Sequence, residues 1–224
     1  MIRVHHLADS RSQRILWLLE ELGADYEVVR YERDPKTMLA PPALKQVHPL
    51  GKSPVLEADG LKVAESGAIV EYLVERHGEG RLKPSPRDAA YVQYLTWSHH
   101  AEASLQPLLL MALLFRVMPE RAPALSRPLV KKVCGTAMDS FVGPRLKEQL
   151  DHIETHLAAR AWFAGDALTG ADVMMIFPLE AAVARASGMD AYPAISAYVA
   201  KVHARDAYKR SLERGGPYAY APKA

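Results

Sequence analysis

The apolar residues near the N-terminus predict a strand, a helix and a second strand in that order. Residues 2–7 and 26–31 are short, mostly apolar runs of the kind that forms strands. Between them, four apolar residues recur at i, i+3, i+4 and i+7, the spacing of one helix face: Ile15, Leu18, Leu19 and Leu22. Gly23 follows, where helices commonly end on a glycine in the left-handed conformation. This opening stretch therefore predicts a βαβ unit.

The next periodic stretch predicts a hairpin and a third helix. Short apolar segments starting at Val55 and at Leu61 flank Asp59-Gly60, which is a strong signal for a two-residue hairpin turn. Ser66 then precedes apolar residues at helical spacing, namely Ile69, Val70 and Leu73. Serine at such a position is typical of a helix N-cap. The order of elements becomes βαβ followed by ββα.

Helical composition dominates the remainder of the chain. Helices are predicted over residues 87–117 and 125–159. Pro107 is a candidate kink in the first, and Gly143-Pro144 is a candidate break that would divide the second into two helices. No strand pattern recurs after residue 80, so this half is predicted to be all-helical.

Two further signals follow near the C-terminus. Thr169 with Asp172 three residues later reads as a capping box at the start of another helix, with aspartate in place of the usual glutamate. Apolar residues at helical spacing predict one more helix over 195–202, and the Gly/Pro/Tyr-rich tail from residue 215 is expected to be loosely ordered.

Glycines and prolines cluster at residues 78–86 and mark the expected domain boundary. The predicted fold class is α/β followed by all-α. We assign residues 1–80 to the first domain and residues 87–224 to the second, because 224 residues suffice for two modest domains.

Composition narrows the classes of function. With 49% hydrophobic and 24% charged residues, the chain is typical of a water-soluble globular protein. The formal net charge is only +2 and both signs are interspersed, so a nucleic-acid partner is not indicated. The single Cys134 excludes a disulfide framework within the chain. We expect no membrane association, because apolar runs stay far below about 18 residues, and cytoplasmic residence, because no leader pattern opens the sequence.

The stretch around Ser53-Pro54 indicates a site for a small anionic peptide. The N–H groups at a helix start favour an anion near Ser66, and Lys52 adds a cation. A cis Ser53-Pro54 bond would turn the Ser53 main chain outward for pairing with an extended peptide, although the general rarity of cis bonds favours trans on composition alone. For Ser66, a plain N-cap role is about as well supported as a binding role, and both can hold together.

The motifs GKSPVL and ESGAIVEYL, with the later capping box, resemble the glutathione S-transferase family. The resemblance spans nearly the whole chain and is weakest over residues 108–145. It implies a thioredoxin-like N-terminal domain followed by an all-helical domain, with glutathione as co-substrate and no metal. It further implies a cis bond at Pro54 and main-chain pairing of Ser53 with the cysteinyl residue of glutathione.

The same resemblance assigns the two ends of glutathione to charged and polar residues. Lys52 would contact the glycine carboxylate. Glu65 and Ser66 would hold the amine and the carboxylate of the γ-glutamyl residue. These roles agree with the charges of the residues concerned.

Members of the family activate the thiol of glutathione with a Tyr, Ser or Cys near the first strand–helix junction. No Tyr or Cys precedes Tyr26, and Cys134 lies in the helical half, so Ser10 and Ser12 remain as the catalytic candidates. We favour Ser10, because it lies just ahead of the first helical turn, at the positive end of the helix dipole, and precedes an Arg as in serine-type members. Without the downstream motifs an ordinary helix cap would be favoured by roughly three to one.

The resemblance also places the pocket for a small hydrophobic electrophile along the first helix of the helical domain. His99, His100 and Glu102 are the unusual residues there. Adjacent histidines point about 100° apart on a helix, so they are poor joint metal ligands. A homodimer is implied, in which Glu102 would face the glutathione of the partner subunit. The implied activity is glutathione conjugation to that electrophile, or a related glutathione-dependent reduction (peroxidase or reductase activity) or isomerisation. The competing hypothesis is a non-catalytic binding protein of the same fold, since fold does not decide function.

Overall fold

The first 77 residues form the sheet and the helices that the pattern predicts. The structure, a computed structural model, describes residues 1–186 and 188–222. Its elements here are β1 (Ile2–Leu7), α1 (Gln13–Leu22), β2 (Tyr26–Tyr31), α2 (Leu44–Val47), β3 (Val55–Ala58), β4 (Leu61–Ala64) and α3 (Ser66–His77). The strands form one sheet in the order β2-β1-β3-β4. β1 is parallel to β2 and antiparallel to β3, which pairs antiparallel with β4.

The later part of the described chain is helical. Its elements are α4 (Ala89–His100), α5 (Gln106–Arg121), α6 (Arg127–Ala137), α7 (Gly143–Ala159), α8 (Gly170–Arg185), α9 (Pro193–His203) and α10 (Asp206–Gly215). The predicted architecture, α/β followed by all-α, is confirmed.

Two of the helical connections are π-helical segments rather than breaks. α4 continues into α5 through Ala101–Leu105, and α6 continues into α7 through Met138–Val142. Each segment ends just before a proline, Pro107 or Pro144. Proline lacks an N–H, and its ring collides with the carbonyl four residues earlier, so a wider turn ahead of it relieves the clash. The candidate kink and the candidate break are therefore local widenings of continuous helices.

Residues in the left-handed region mark the predicted turns. Gly23 ends α1 with φ of 68°, and the β3–β4 turn has φ of 54° at Asp59 and 76° at Gly60, as a two-residue hairpin requires. The predicted N-cap of α3 is wrong by one residue. Glu65, with φ of 72°, occupies the cap position, and Ser66 is the first helical residue.

Helix α1 is the centre of the core. The predicted apolar stripe is buried, and so are Leu16 and Trp17, which lie outside the stripe and have no exposed surface. This happens because α8 and α10 pack on α1 in addition to the neighbouring elements of the N-terminal half. The capping box that starts α8 is present, since the Thr169 N–H donates to the Asp172 carboxylate at 2.8 Å.

The C-terminal tail contradicts the prediction of a loosely ordered segment. α10 was not predicted, because its buried face consists largely of small residues and one tyrosine. After it, Tyr218 and Tyr220 are buried, and the Tyr218 hydroxyl donates to Glu180 at 2.6 Å. The prediction is wrong for residues 215–221, and residues 223–224 lie outside the described part.

The continuous helical run from Ala89 to Arg121 bears on the expectation of no membrane association. By length and composition it could cross a membrane, with a mean hydropathy of 1.4 over its most apolar window, of which 17% is buried. Within the fold, however, α4 packs on α8 and α5 packs on α6. What remains outside is an apolar strip along the run, which includes Val92, Leu110, Leu114 and Met118.

Candidate active site

Three loops meet at one end of the sheet. Val55, the first residue of β3, pairs with His5 near the end of β1 and with Ala64 at the end of β4. The loop after β1, the turn before β3 and the turn after β4 are therefore neighbours at this edge. They carry the site residues that the sequence predicts for the N-terminal half: Ser10, Ser12, Lys52, Ser53, Pro54, Glu65 and Ser66.

The two candidate serines occupy different environments. The Ser12 hydroxyl is fully buried and lies 2.8 Å from His6 Nδ1. It also accepts the N–H of Leu7 at 3.2 Å. Ser10 retains 7% exposure, and its Oγ lies 2.7 Å from the Oγ of Ser12. Ser10 is therefore the more accessible of the two hydroxyls.

The ordinary helix-cap interpretation does not describe either serine. Ser12 stands at the N-cap position of α1 but has helical backbone angles and no capping hydrogen bond from its side chain. Ser10 Oγ accepts the N–H of Ser12 at 3.3 Å, and its other contact is with the Ser12 hydroxyl rather than with an N–H of α1. Of the first three N–H groups of α1, those of Gln13 and Ile15 donate to the carbonyls of Ser10 and Ser12 at 3.2 and 3.0 Å. Only the N–H of Arg14 has no partner among the described residues, and the positive end of the helix dipole lies beside it.

The Ser53-Pro54 bond is cis, as the resemblance implies. The Ser53 hydroxyl donates to the carbonyl of His5 at 2.7 Å and accepts the Leu7 N–H at 3.1 Å. These bonds hold the turn against β1. Within the described residues, the main-chain N–H and C=O of Ser53 have no hydrogen-bond partner, so they are free to pair with an extended ligand.

Charged groups of both signs flank this turn. Lys52 and Glu65 are exposed, and neither forms an ion pair with any described residue. Ser66, by contrast, is buried at the start of α3. A cation, an anion and a helix start are thus available along one edge of the sheet.

Glu102 lies beside the serine loop of its own chain. Its carboxylate forms ion pairs with Arg11, at 3.2 Å, and with the fully buried Arg14. Arg11 separates the two serines in sequence, so the π-helical segment after α4 is tied to the loop. Burial opposes the charge of Glu102, but Arg14 and Arg11 outweigh it and hold the pKa of the carboxyl below its usual value.

The two histidines at the end of α4 point to different surroundings. His99 is exposed. His100 lies in an aromatic cluster, with its ring centroid 5.0 Å from Trp97 and 6.3 Å from His152 of α7. No described hydrogen bond joins either histidine to the serine loop, and the described residues contain no group of three side chains suited to a metal ion.

The burial of His100 predicts a pH-dependent stability. Burial, assisted by His152, lowers the pKa of His100 to about 4. The unfolded chain therefore binds the proton first, and stability present above pH 6.5 is lost as the pH falls towards 4. Between pH 7 and 5 this residue should contribute up to about 2 kcal/mol of that loss.

Urea unfolding of wild type and His100→Phe at the two pH values measures this contribution. The variant should lose less stability than the wild type on going from pH 7 to pH 5. Equal losses in the two proteins would show that His100 does not titrate as its burial implies.

Two residues of the site were not singled out from the sequence. Successive side chains of a strand point to opposite faces, and in β1 His6 contacts Ser12 while His5 bonds the Tyr31 hydroxyl at 2.9 Å on the other face. Nothing in the sequence indicated a role for Arg14, because it lies outside the apolar stripe of α1, where a charged side chain is usually solvated. Its guanidinium is instead buried, and it donates to the Met174 carbonyl at 2.6 Å.

Comparison with known proteins agrees with this geometry. The family profile "Glutathione S-transferase, N-terminal domain" matches residues 1–75, and "Glutathione S-transferase, C-terminal domain" matches residues 141–201. Together the two profiles cover more than half of the chain.

Relatives and solved structures match over nearly the full length. "Glutathione S-transferase 3" of Schizosaccharomyces pombe is 36% identical over 96% of this chain and 88% of its own length. "Glutathione S-transferase 1" of Saccharomyces cerevisiae is 34% identical over 96% of this chain and 95% of its own. The crystal structure of a glutathione S-transferase from Actinobacillus pleuropneumoniae superimposes with a TM-score of 0.81 at 32% identity, covering 100% of this chain and 97% of that one. The chain therefore belongs to the glutathione S-transferase family.

Proposed function

We propose that this glutathione S-transferase binds glutathione along the sheet edge described above and holds its thiol as thiolate for attack on a small hydrophobic electrophile. The observation that carries the proposal is that Ser10, just ahead of α1, keeps 7% of its surface exposed, while the main chain of Ser53 at the same end of the sheet has no partner among the described residues. A peptide paired with Ser53 places its cysteine near a hydrogen-bond donor and the positive end of a helix.

Each end of glutathione has a complementary group. Lys52 takes the glycine carboxylate, because it is an exposed cation with no competing ion pair among the described residues. Glu65 takes the γ-glutamyl amine, and the N–H and hydroxyl of Ser66 take the γ-glutamyl carboxylate at the start of α3. Glutathione is the co-substrate, and no metal takes part.

Ser10 rather than Ser12 is proposed as the donor to the sulfur. Ser12 has no exposed surface, and its oxygen is already shared among His6, Leu7 and Ser10. Ser10, by contrast, keeps 7% of its surface exposed. A donor to the charged form of the thiol lowers its pKa, as does a helix N-terminus.

The size of the activation is modest. A fall of about two units from a reference thiol pKa of about 8.5 corresponds to roughly 2.7 kcal/mol. A less basic thiolate is a weaker nucleophile, with a Brønsted slope of about 0.4–0.5. This weaker nucleophilicity cancels most of the rate gain expected from the roughly 25-fold larger thiolate fraction. Positioning of the electrophile against the sulfur must therefore contribute at least as much.

The electrophile is proposed to lie between the serine loop and the segment that carries Glu102. The ion pairs of Glu102 with Arg11 and Arg14 support this, because they bring the helical half against the loop. His99 and His100 stay candidates for the pocket, although no described hydrogen bond joins either of them to the serine loop.

Calorimetry of glutathione binding tests the site. Lys52→Ala and Glu65→Ala each remove a charge-assisted hydrogen bond worth about 1.5–3 kcal/mol when shielded, so each should weaken binding by roughly tenfold or more. Lys209→Ala and Glu148→Ala, which remove exposed charges on α10 and α7, serve as matched controls and should bind as the wild type does. Unchanged dissociation constants in both site variants would refute the assignment.

A homodimer in the cytoplasm completes the proposal. Exposed apolar side chains on α4, α5 and α6 support it, because a strip of this kind is typical of a buried interface: Val92, Leu110, Leu114, Leu129 and Val133. In such a dimer the N-terminal domain, residues 1–80, packs on the helical domain of the partner, residues 87–224. Sedimentation at micromolar concentration should give the mass of two chains, and a stable monomer would contradict the dimer.

A further inference from the structure

A continuous chain of hydrogen bonds runs from Ser10 into the interior. Ser10 Oγ lies 2.7 Å from Ser12 Oγ, which lies 2.8 Å from His6 Nδ1. Ser12 and His6 have at most 1% exposure, so water does not break into the chain. The imidazole of His6 is therefore linked to the surface of the site through two hydroxyl groups.

The two hydrogen bonds of this chain can run in either direction, depending on whether His6 Nδ1 accepts or donates. Each serine hydroxyl has a single proton. If His6 Nδ1 is an acceptor, the Ser12 proton points to His6, and the Ser10 proton must fill the contact between the serines. Ser10 then offers a lone pair to the sulfur and can accept the thiol proton. If Nδ1 carries a proton, both serine protons point outward, and Ser10 donates to the sulfur.

We propose that His6 receives the thiol proton of glutathione through Ser10 and Ser12, and so fixes the direction in which Ser10 donates. The inference rests on the proposed function, because it needs the sulfur next to Ser10. His6 is a positioning residue here, since it acts on the sulfur only through the two serines.

The proton transfer is balanced, because it forms as many bonds to hydrogen as it breaks. The sulfur gives its proton to Ser10 Oγ, Ser10 gives its own to Ser12 Oγ, and Ser12 gives its own to His6 Nδ1. One S–H and two O–H bonds break, and two O–H bonds and one N–H bond form. The result is a thiolate that accepts a hydrogen bond from Ser10, with the positive charge on the imidazolium and no proton lost to solvent.

The surroundings of His6 keep its imidazole neutral before glutathione binds, so that the ring can accept a proton. Burial, with a contribution from Arg30, lowers the pKa of His6 to about 4, so the ring is neutral at pH 7. The Gly215 backbone, Glu32 and Asp9 act in the opposite direction and favour the charged ring. A thiolate at the end of the chain acts in the same direction, and for His6 to keep the proton at pH 7 it must raise the pKa of the imidazole by about three units.

Calorimetry of the wild type tests the relay without any substitution. Glutathione is titrated at pH 7 in two buffers of different ionisation enthalpy, and thiolate formation is followed by its ultraviolet absorbance. S-methylglutathione, which has no thiol proton, is the control ligand. We expect thiolate to form while far less than one proton per thiolate reaches the buffer.

Release of one proton per thiolate would overturn the relay and leave the proposed function intact. Absence of a thiolate signal would overturn both, and so the two failures are distinguishable. If S-methylglutathione releases the same number of protons to the buffer as glutathione does, the measured protons come from groups other than the thiol. This result would also count against the relay.

His6→Asn separates proton uptake from simple hydrogen bonding. An asparagine amide can donate to Ser12 Oγ but cannot accept a proton, so the pKa of the bound thiol should rise by about one to two units and a proton should now reach the buffer. His5→Asn is the matched control, because His5 lies on the other face of β1. Wild-type values for both quantities in His6→Asn would contradict the proposal.

Discussion

Replacing Asp172 by alanine should cost about 3–5 kcal/mol of unfolding free energy, because buried donors lose their shared acceptor. The carboxyl has no exposed surface and accepts hydrogen bonds from the N–H of Phe163, the N–H and hydroxyl of Thr169 and the hydroxyl of Tyr198, at 2.8–3.0 Å. Burial raises the pKa of Asp172, and these donors oppose the rise. The side chain therefore stabilises the fold chiefly as an acceptor.

Urea unfolding of two further variants shows whether this explanation holds. Asp172→Asn keeps one acceptor oxygen and should lose less stability than Asp172→Ala. Asp166→Ala removes an exposed acid from the loop before α8 and should stay within about 0.5 kcal/mol of the wild type. An Asp172→Ala protein as stable as the Asp166 control would show that the donors find other partners.

Replacing Ser10 by alanine should reduce turnover near pH 7 more than it reduces glutathione affinity. Lys52, Ser53, Glu65 and Ser66 still hold the ends of the tripeptide, so binding should survive. A rise of the bound thiol pKa from about 6.5 to about 8.5 lowers the thiolate fraction at pH 7 from roughly three-quarters to roughly 3%. The more basic sulfur is a better nucleophile, so ionisation alone gives roughly a threefold loss of rate, and loss of the bond that positions the sulfur adds to it.

The pH profile distinguishes this role from a structural one. The rate of Ser10→Ala should recover in part at higher pH, because more of its thiol then ionises. A serine that merely supported the loop would cost about 1 kcal/mol of stability and leave the profile unmoved. Parallel profiles for wild type and variant would therefore argue against Ser10 as the donor.

The sequence predicted those parts of the fold that rest on local signals. Gly23, the Asp59-Gly60 turn and the Thr169–Asp172 capping box each satisfy a backbone requirement that a few neighbouring residues determine. The glutathione motif likewise lies within one short stretch of chain. Such features can be predicted because the residues that cause them are adjacent in sequence.

Features that depend on distant partners escaped prediction. Arg14 is buried because Glu102, far along the chain, neutralises it. The tail is ordered because Glu180 accepts the Tyr218 hydroxyl and Asp9 accepts the Ala219 N–H, at 2.7 Å. Neither pairing leaves a trace in local periodicity.

The choice between the two candidate serines has the same origin. The sequence favours Ser10 for its place ahead of the first helical turn. Only the packing of β1 against the loop adds that Ser12 is fully buried while Ser10 keeps 7% of its surface exposed. Alternation along β1 puts His5 and His6 on opposite faces, and only the packed structure shows that His6 is the one that contacts Ser12.

Titration of the thiolate absorbance of bound glutathione in wild type and Ser10→Ala tests the central claim most directly. The account predicts a pKa for the bound thiol that is higher by about one to two units in the variant, as expected when a hydrogen bond to the charged form is lost. Ser12→Ala, measured alongside, should also shift the pKa, because Ser12 connects Ser10 to His6. Identical titrations in wild type and Ser10→Ala would contradict activation by Ser10, and a shift confined to Ser12→Ala would assign the role to the other serine.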